Sequence, residues 1–304
     1  MKKVLIIAGP TGVGKTDFSV KIAQVLNGEI VCLDSRQIYK YFKIGTAFPD
    51  EVTLKTVKHH LFGEIDPSIN FTAYDYKIKA ENIIENIINQ GKLPILVGGT
   101  GFYIDALLNG FLNVESNYGL RSYLRKLEDN NPGILRKILV DLDPQSALKI
   151  HPNDIKRIIR AIEIYIVTGN KMGEIIKENK TKNKKFDFDI FILDRNRQEL
   201  HERINQRVEK MLEQGLIDEV KYLLSLGYSK NLNALNTIGY KEVIQYLEGR
   251  IDFNKMVHLI KVHTRNYARR QIIYFRRLEK AKWINLSLDS EENVIKQIIK
   301  NIKN

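Results

Sequence analysis

Eight residues near the start of the chain, Gly9-Pro10-Thr11-Gly12-Val13-Gly14-Lys15-Thr16, have the types and spacing that phosphate chemistry requires. The pattern is G-x-x-x-x-G-K-[ST]. Glycines let the backbone turn its N–H groups inward, Lys15 brings a positive charge to the outer oxygens, and the Thr16 hydroxyl can ligate Mg²⁺. An apolar run at 4–8 precedes the loop and a helix-forming segment at 17–26 follows it. The loop therefore stands between a buried strand and the positive end of a helix, where an anion is favoured. These residues predict binding of a di- or triphosphate. A glycine-rich strand-to-helix turn with no ligand is the blander reading.

Asp34 is the second chemical candidate, following another apolar run at 29–33. Ligands of open parallel sheets gather beyond the carboxyl ends of the strands. That rule sets Asp34 one strand over from Lys15 and Thr16, as a general base or an indirect Mg²⁺ ligand, and an N-cap role is compatible with either. A third run at 93–97 ends in Gly98-Gly99-Thr100-Gly101, so it offers no Walker B carboxylate, and no Asn-Lys-x-Asp guanine-reading motif occurs. His59 and His60 are expected in a loop. Adjacent histidines point in different directions, and these lack cysteine or carboxylate partners at ligand spacing, which favours a structural or substrate-contact role over metal. The single cysteine, Cys32, excludes an intramolecular disulfide and reads as a small core residue.

The net charge of +12 points to a polyanionic partner, and its location sharpens the point. Residues 261–280 contain seven Lys or Arg against one acid, with Tyr267, Tyr274 and Phe275 interleaved. On a helix, Lys261, Arg265, Arg269 and Arg276 share an arc of about 80°. A basic stripe with ring faces suits nucleic acid, while a solvated basic face over core aromatics is the plainer reading. A second basic region, 151–185, has nine Lys or Arg against four acids. Two such surfaces fit a phosphate backbone better than a small acidic metabolite.

The elements that must position these residues alternate. Strand signals at 4–8, 29–33 and 93–97 are separated by helical stretches, including 73–89, as in a parallel sheet with crossover helices. From 120 to 177 only helix signals occur, and a lysine-rich tract at 177–185 reads as a loop. A strand signal returns at 189–193, helices follow at 199–213 and 217–226, and 283–286 makes a final strand. The prediction is an α/β fold: a P-loop NTPase-like parallel sheet flanked by helices, with an inserted all-helical subdomain resembling a lid. The expected division is 1–112, 113–186 and 187–304. Hydrophobic residues at 43 % and charged residues at 28 % describe an ordinary soluble globular protein. No apolar run of about twenty residues exists, and the five apolar residues before the phosphate loop are too few for a signal peptide. A cytoplasmic protein is expected.

Several blocks together resemble one family: residues 9–16, Asp34-Ser35-Arg36-Gln37-Ile38-Tyr39, Ile44-Gly45-Thr46-Ala47, His59-His60-Leu61, 94–103, His151-Pro152-Asn153-Asp154, Ile238-Gly239-Tyr240-Lys241-Glu242 and 265–275. They occur in the order found in tRNA dimethylallyltransferases, and the resemblance covers nearly the whole chain. It implies that the loop of Gly9, Pro10, Thr11, Gly12, Val13, Gly14, Lys15 and Thr16 holds the diphosphate of dimethylallyl diphosphate rather than ATP, with Mg²⁺ at Thr16. It further implies that Asp34 is the base that takes a proton from the exocyclic amine of the adenosine 3′ of the anticodon. Thr100 and Arg121 resemble family contacts near the target base and the diphosphate channel. Asp34, Ser35, Arg36 and Gln37, then Lys156, Arg157 and Arg160, then Arg265, Asn266, Tyr267, Arg269, Arg270 and Gln271 match tRNA-contacting stretches. The implied partner is the anticodon stem-loop of tRNA, the implied setting needs no membrane, and a monomer is expected. One departure stands out: many members carry Arg two residues before the Ile/Val-Gly-Tyr stretch, and here that residue is Asn236. Either another cation, such as Arg121, assists the diphosphate, or that role is dispensable.

Two other classes compete. A small-molecule kinase using ATP would also suit a phosphate loop, a strand-end Asp and a helical lid, but needs neither basic surface. A non-catalytic RNA-binding module leaves the phosphate loop and Asp34 unexplained.

Overall fold

The computed structural model describes residues 2–110, 114–175, 177 and 185–303. These form two compact units, Met1–Ile104 with Lys185–Asn304, and Asp105–Lys184. The first unit is built on a six-stranded parallel sheet in the order β3-β2-β4-β1-β5-β6. Its strands are β1 (Lys2–Ala8), β2 (Gly28–Leu33), β3 (His59–His60), β4 (Leu93–Gly98), β5 (Phe186–Asp194) and β6 (Lys282–Asn285). β1 lies at the centre, with Leu5 opposite Ile95 on one side and Ile6 opposite Ile190 on the other. Its five residues from Val4 to Ala8 are all at most 1 % exposed. A strand covered on both faces needs such an unbroken apolar run, so this one is apolar throughout rather than alternating.

Helices α1 (Lys15–Val25), α2 (Glu51–Thr56) and α3 (Ala73–Asn89) fill the early crossovers, and α4 (Gly101–Asn109) follows β4. The bounds of α3 match the expected ones because a capping box closes its start: the Thr72 side chain accepts from the Asp75 N–H, and Asp75 accepts from the Thr72 N–H.

The histidine pair departs from expectation. His59 and His60 form the edge strand β3, pairing with Ile30 and Val31 of β2. A carboxylate partner exists as well: His60 Nε2 is 2.6 Å from Glu29 Oε2, and Lys92 Nζ is 2.6 Å from Glu29 Oε1. Glu29 is only 1 % exposed, so its charge needs these partners. Sequence spacing could not show a contact made across neighbouring strands.

The second unit is helical, as its periodicity predicted: α5 (Tyr118–Asn130), α6 (Ile134–Leu142), α7 (Pro144–Lys149) and α8 (Ile155–Thr168). Leu124, Leu135, Leu139, Ile158 and Ile162 make its core. The loop expected at 177–185 lies, apart from its two end residues, outside the described residues. Back in the first unit, the chain adds α9 (Arg197–Glu213), α10 (Leu216–Ser225), α11 (Tyr240–Leu247), α12 (Phe253–Phe275) and α13 (Glu291–Lys303).

Candidate active site

The phosphate loop turns sharply from β1 into α1. Gly12 and Gly14 have φ of +85° and +101°, values that side-chain-bearing residues rarely adopt. Lys15 Nζ donates to the carbonyls of Gly9 and Pro10, each at 3.0 Å, and so arches over the loop. Burial lowers the Lys15 pKa to about 8; the charge of Asp34 works against that fall and Arg207 adds to it.

Three residues distant in sequence hold the loop from outside. Arg195, just beyond β5, donates through Nε to the Val13 carbonyl at 2.9 Å. Arg203 on α9 donates through Nε to the Gly12 carbonyl at 2.9 Å. Gln271 on α12 accepts from the Thr11 N–H at 2.9 Å and donates to the Gly99 carbonyl at 2.8 Å.

Asp34 follows the end of β2. Its Oδ1 accepts from the N–H groups of Arg36 at 2.8 Å and Gln37 at 3.3 Å, so it closes a turn rather than a helix. Oδ2 accepts no hydrogen bond among the described residues and is the oxygen available to take a proton. The Thr100 hydroxyl, from the β4–α4 junction, accepts from the Ser35 N–H at 2.9 Å and ties the strand ends of β2 and β4 together. Tyr267 on α12 lies beside Thr100; burial, then the charge of Asp34, pushes its phenol well up and keeps it neutral.

Arg207 on α9 was not singled out in the sequence. Burial lowers its pKa while the charge of Asp34 raises it, and its field is felt by Lys15, so this cation belongs to the Asp34–Lys15 cluster. It donates to the Thr46 carbonyl at 3.2 Å, which also accepts from Gln37 Nε2 at 3.1 Å. Arg203 and Arg207, four residues apart beside the buried Ile204 and Val208, are the only sequence trace of this face, and the same spacing describes any solvated helix.

The remaining candidates fall in different places. Arg36 donates to the Asn233 carbonyl at 2.8 Å, and Arg265 to Asn205 Oδ1 at 2.7 Å. Asn266, Arg269 and Arg270 are exposed on α12, and the Arg270 guanidinium lies 5.8 Å from the Tyr267 ring centre. Lys156 and Arg157 are exposed on α8. Arg121 and Arg160 both grip Glu163 within the helical unit, Arg121 through two bonds of 2.9 Å. Asn236 is exposed. Gln271, by contrast, is only 5 % exposed, and both ends of its amide are engaged within the protein.

Among the described residues no cluster of three or more His, Cys, Asp or Glu could hold a metal by itself. Mg²⁺ does not require one, because it is commonly held by one or two protein oxygens together with phosphate oxygens and water. The Thr16 hydroxyl and the Asp34 carboxylate are hard oxygen donors of that kind.

Comparison with known proteins adds the family. The family model described as IPP transferase matches residues 37–278. The chain belongs to the IPP transferase family. Among relatives, the tRNA dimethylallyltransferase of Petrotoga mobilis is 69 % identical, the match covering 98 % of this chain and 99 % of that one. The corresponding protein of Thermotoga maritima is 50 % identical over 98 % and 99 %. Among solved structures, the tRNA isopentenylpyrophosphate transferase of Bacillus halodurans superposes with a TM-score of 0.75 at 34 % identity, covering 100 % of this chain and 96 % of that one. A eukaryotic dimethylallyltransferase acting on tRNA gives 0.84 at 30 % identity, over 99 % and 80 %. The transferase family thus shares the parallel α/β architecture described above.

Proposed function

We propose that this chain transfers the dimethylallyl group of dimethylallyl diphosphate to the exocyclic N6 of the adenosine 3′-adjacent to the anticodon in tRNA. The observation that carries this reading is a free carboxylate oxygen, Asp34 Oδ2, set beside a phosphate loop whose Lys15 and neighbouring Arg207 are cationic. Family membership and the names of the relatives support the same reaction.

The adenine amine is a weak nucleophile because its lone pair is delocalised into the ring. Asp34 takes its proton as N6 bonds to the allylic carbon, while the bond from that carbon to oxygen breaks and diphosphate leaves. Lys15, Arg207 and the loop amides stabilise the charge that gathers on the leaving oxygens. Thr16 would hold Mg²⁺, which when bound would neutralise diphosphate charge. Thr100 and Tyr267 position the Asp34 turn. The exposed cations of α12 and α8 suit the phosphates of an anticodon stem-loop, whereas Arg121 is engaged by Glu163. A base in a single-stranded loop leaves its stack at small cost, which favours such a target. No helix among the described residues is long and apolar enough to cross a membrane.

The test is to incubate the protein with Mg²⁺, bulk tRNA and radiolabelled dimethylallyl diphosphate, with ATP and small metabolites in a parallel tube. Label appearing in tRNA supports the reading; ATP consumption without labelled RNA supports a kinase instead. Asp34→Ala is expected to lower turnover by about 10²–10⁴-fold while tRNA affinity holds. Unchanged turnover removes Asp34 as the base.

A further inference from the structure

Gln271 lies on the helix that carries the exposed Arg269 and Arg270, yet its side chain points the other way, into the protein. Its amide joins two loops that follow different strands: Thr11 after β1, through Oε1, and Gly99 after β4, through Nε2. The fit depends on glycine. A Cβ on Gly99 would stand 2.1 Å from Gln271 Nε2, and a Cβ on Gly101 would stand 2.3 Å from the Tyr274 ring of the same helix. The amide also has one workable orientation. Flipped, its NH₂ would face the Thr11 N–H and its oxygen would face the Gly99 carbonyl, losing both bonds. In a buried site each such loss strands a polar group without a partner.

From this geometry we infer that Gln271 is a positioning residue: it sets the phosphate loop at Thr11 against the Gly99–Thr100 loop, so that the cradle meets the diphosphate in its binding shape. The inference rests on the reading that this loop holds a prenyl diphosphate. It assigns Gln271 to donor binding and not to RNA contact, although its helical neighbours face solvent.

Gln271→Met keeps the length and bulk of the side chain and removes both hydrogen bonds. Its KM for dimethylallyl diphosphate should rise about tenfold, the equivalent of losing one or two such bonds. The tRNA dissociation constant measured without diphosphate should match wild type. Gln271→Glu supplies a readout that a purely structural role would not move. A protonated carboxyl offers one donor and one acceptor, like the amide, whereas the carboxylate offers acceptors alone. Its KM relative to wild type at the same pH should therefore recover as pH is lowered. Should Gln271→Met not fold, Gly99→Ala displaces the amide from the opposite side and predicts the same rise. A folded Gln271→Met with unchanged KM for the diphosphate overturns the inference, as does a defect confined to tRNA binding. Wild type that transfers no label at all overturns the functional reading and this inference together.

Discussion

Lys15 shows how much a single residue's surroundings decide. Burial takes its pKa from 10.5 to about 8. Between those values the unfolded chain binds more protons than the folded one, so stability rises with pH through that window. Diphosphate binding runs the other way, because the anion favours the charged lysine. Donor affinity should hold below about pH 8 and fall as pH rises past it, by up to about tenfold per pH unit. Lys15→Arg, which stays charged, should flatten the profile. KM for dimethylallyl diphosphate followed across alkaline pH checks this, and a flat wild-type profile would count against Lys15 as the responsible charge. The eight loop residues and Asp34 were legible in the sequence, since their chemistry depends on local spacing and on following a strand. Arg207 and the buried role of Gln271 were not, because both come to the loop from helices roughly two hundred or more positions later.

At the scale of elements, α9 and α12 do most to shape the site. α9 brings Arg203 to the loop and Arg207 to Asp34, while α12 divides its residues between two tasks. Lys261 pairs with Glu209 at 2.7 Å and Arg265 bonds Asn205, so the early part of the predicted basic stripe is spent on α9. Arg269 and Arg270, one to two turns on, remain exposed. Replacing both by Ala should lower the slope of log affinity for tRNA against log salt by roughly 1.5, at about 0.7–0.9 per phosphate contact. Binding isotherms at several salt concentrations measure it, and an unaltered slope would move the RNA surface elsewhere. A helical wheel finds the stripe but does not say which of its cations another helix consumes.

At the scale of the whole molecule, the chain folds into two units, each with its own core. The helical unit depends on an ionic knot. Glu163, 0 % exposed, accepts from Arg121, Arg160 and the Asn117 N–H. Its pKa is lowered: burial alone would raise it, but the hydrogen bonds from Arg121 and Arg160 outweigh that. The stabilisation is thus present above the ordinary carboxylate range and is lost as pH falls through the lowered pKa. Glu163→Gln leaves two partly exposed guanidinium groups under-compensated and should cost about 1–3 kcal/mol, the range for losing hydrogen bonds to a charged group. Chemical denaturation read on a probe within residues 105–184 tests this; an unchanged midpoint would mean solvent already carries those charges.

The amino-acid sequence by itself determined the α/β class, every strand but β3, the helical stretches and the phosphate loop with Asp34, while resemblance to a family implied the reaction. The structural features follow from periodicity and short-range spacing, which are properties of contiguous residues. Tertiary structure alone decided which cations reach the loop, that His60 answers Glu29, that Arg121 is held by Glu163, and that Gln271 faces inward. Each of those depends on which faces of distant helices and strands are brought together when the apolar core closes, and one-dimensional spacing carries no record of that.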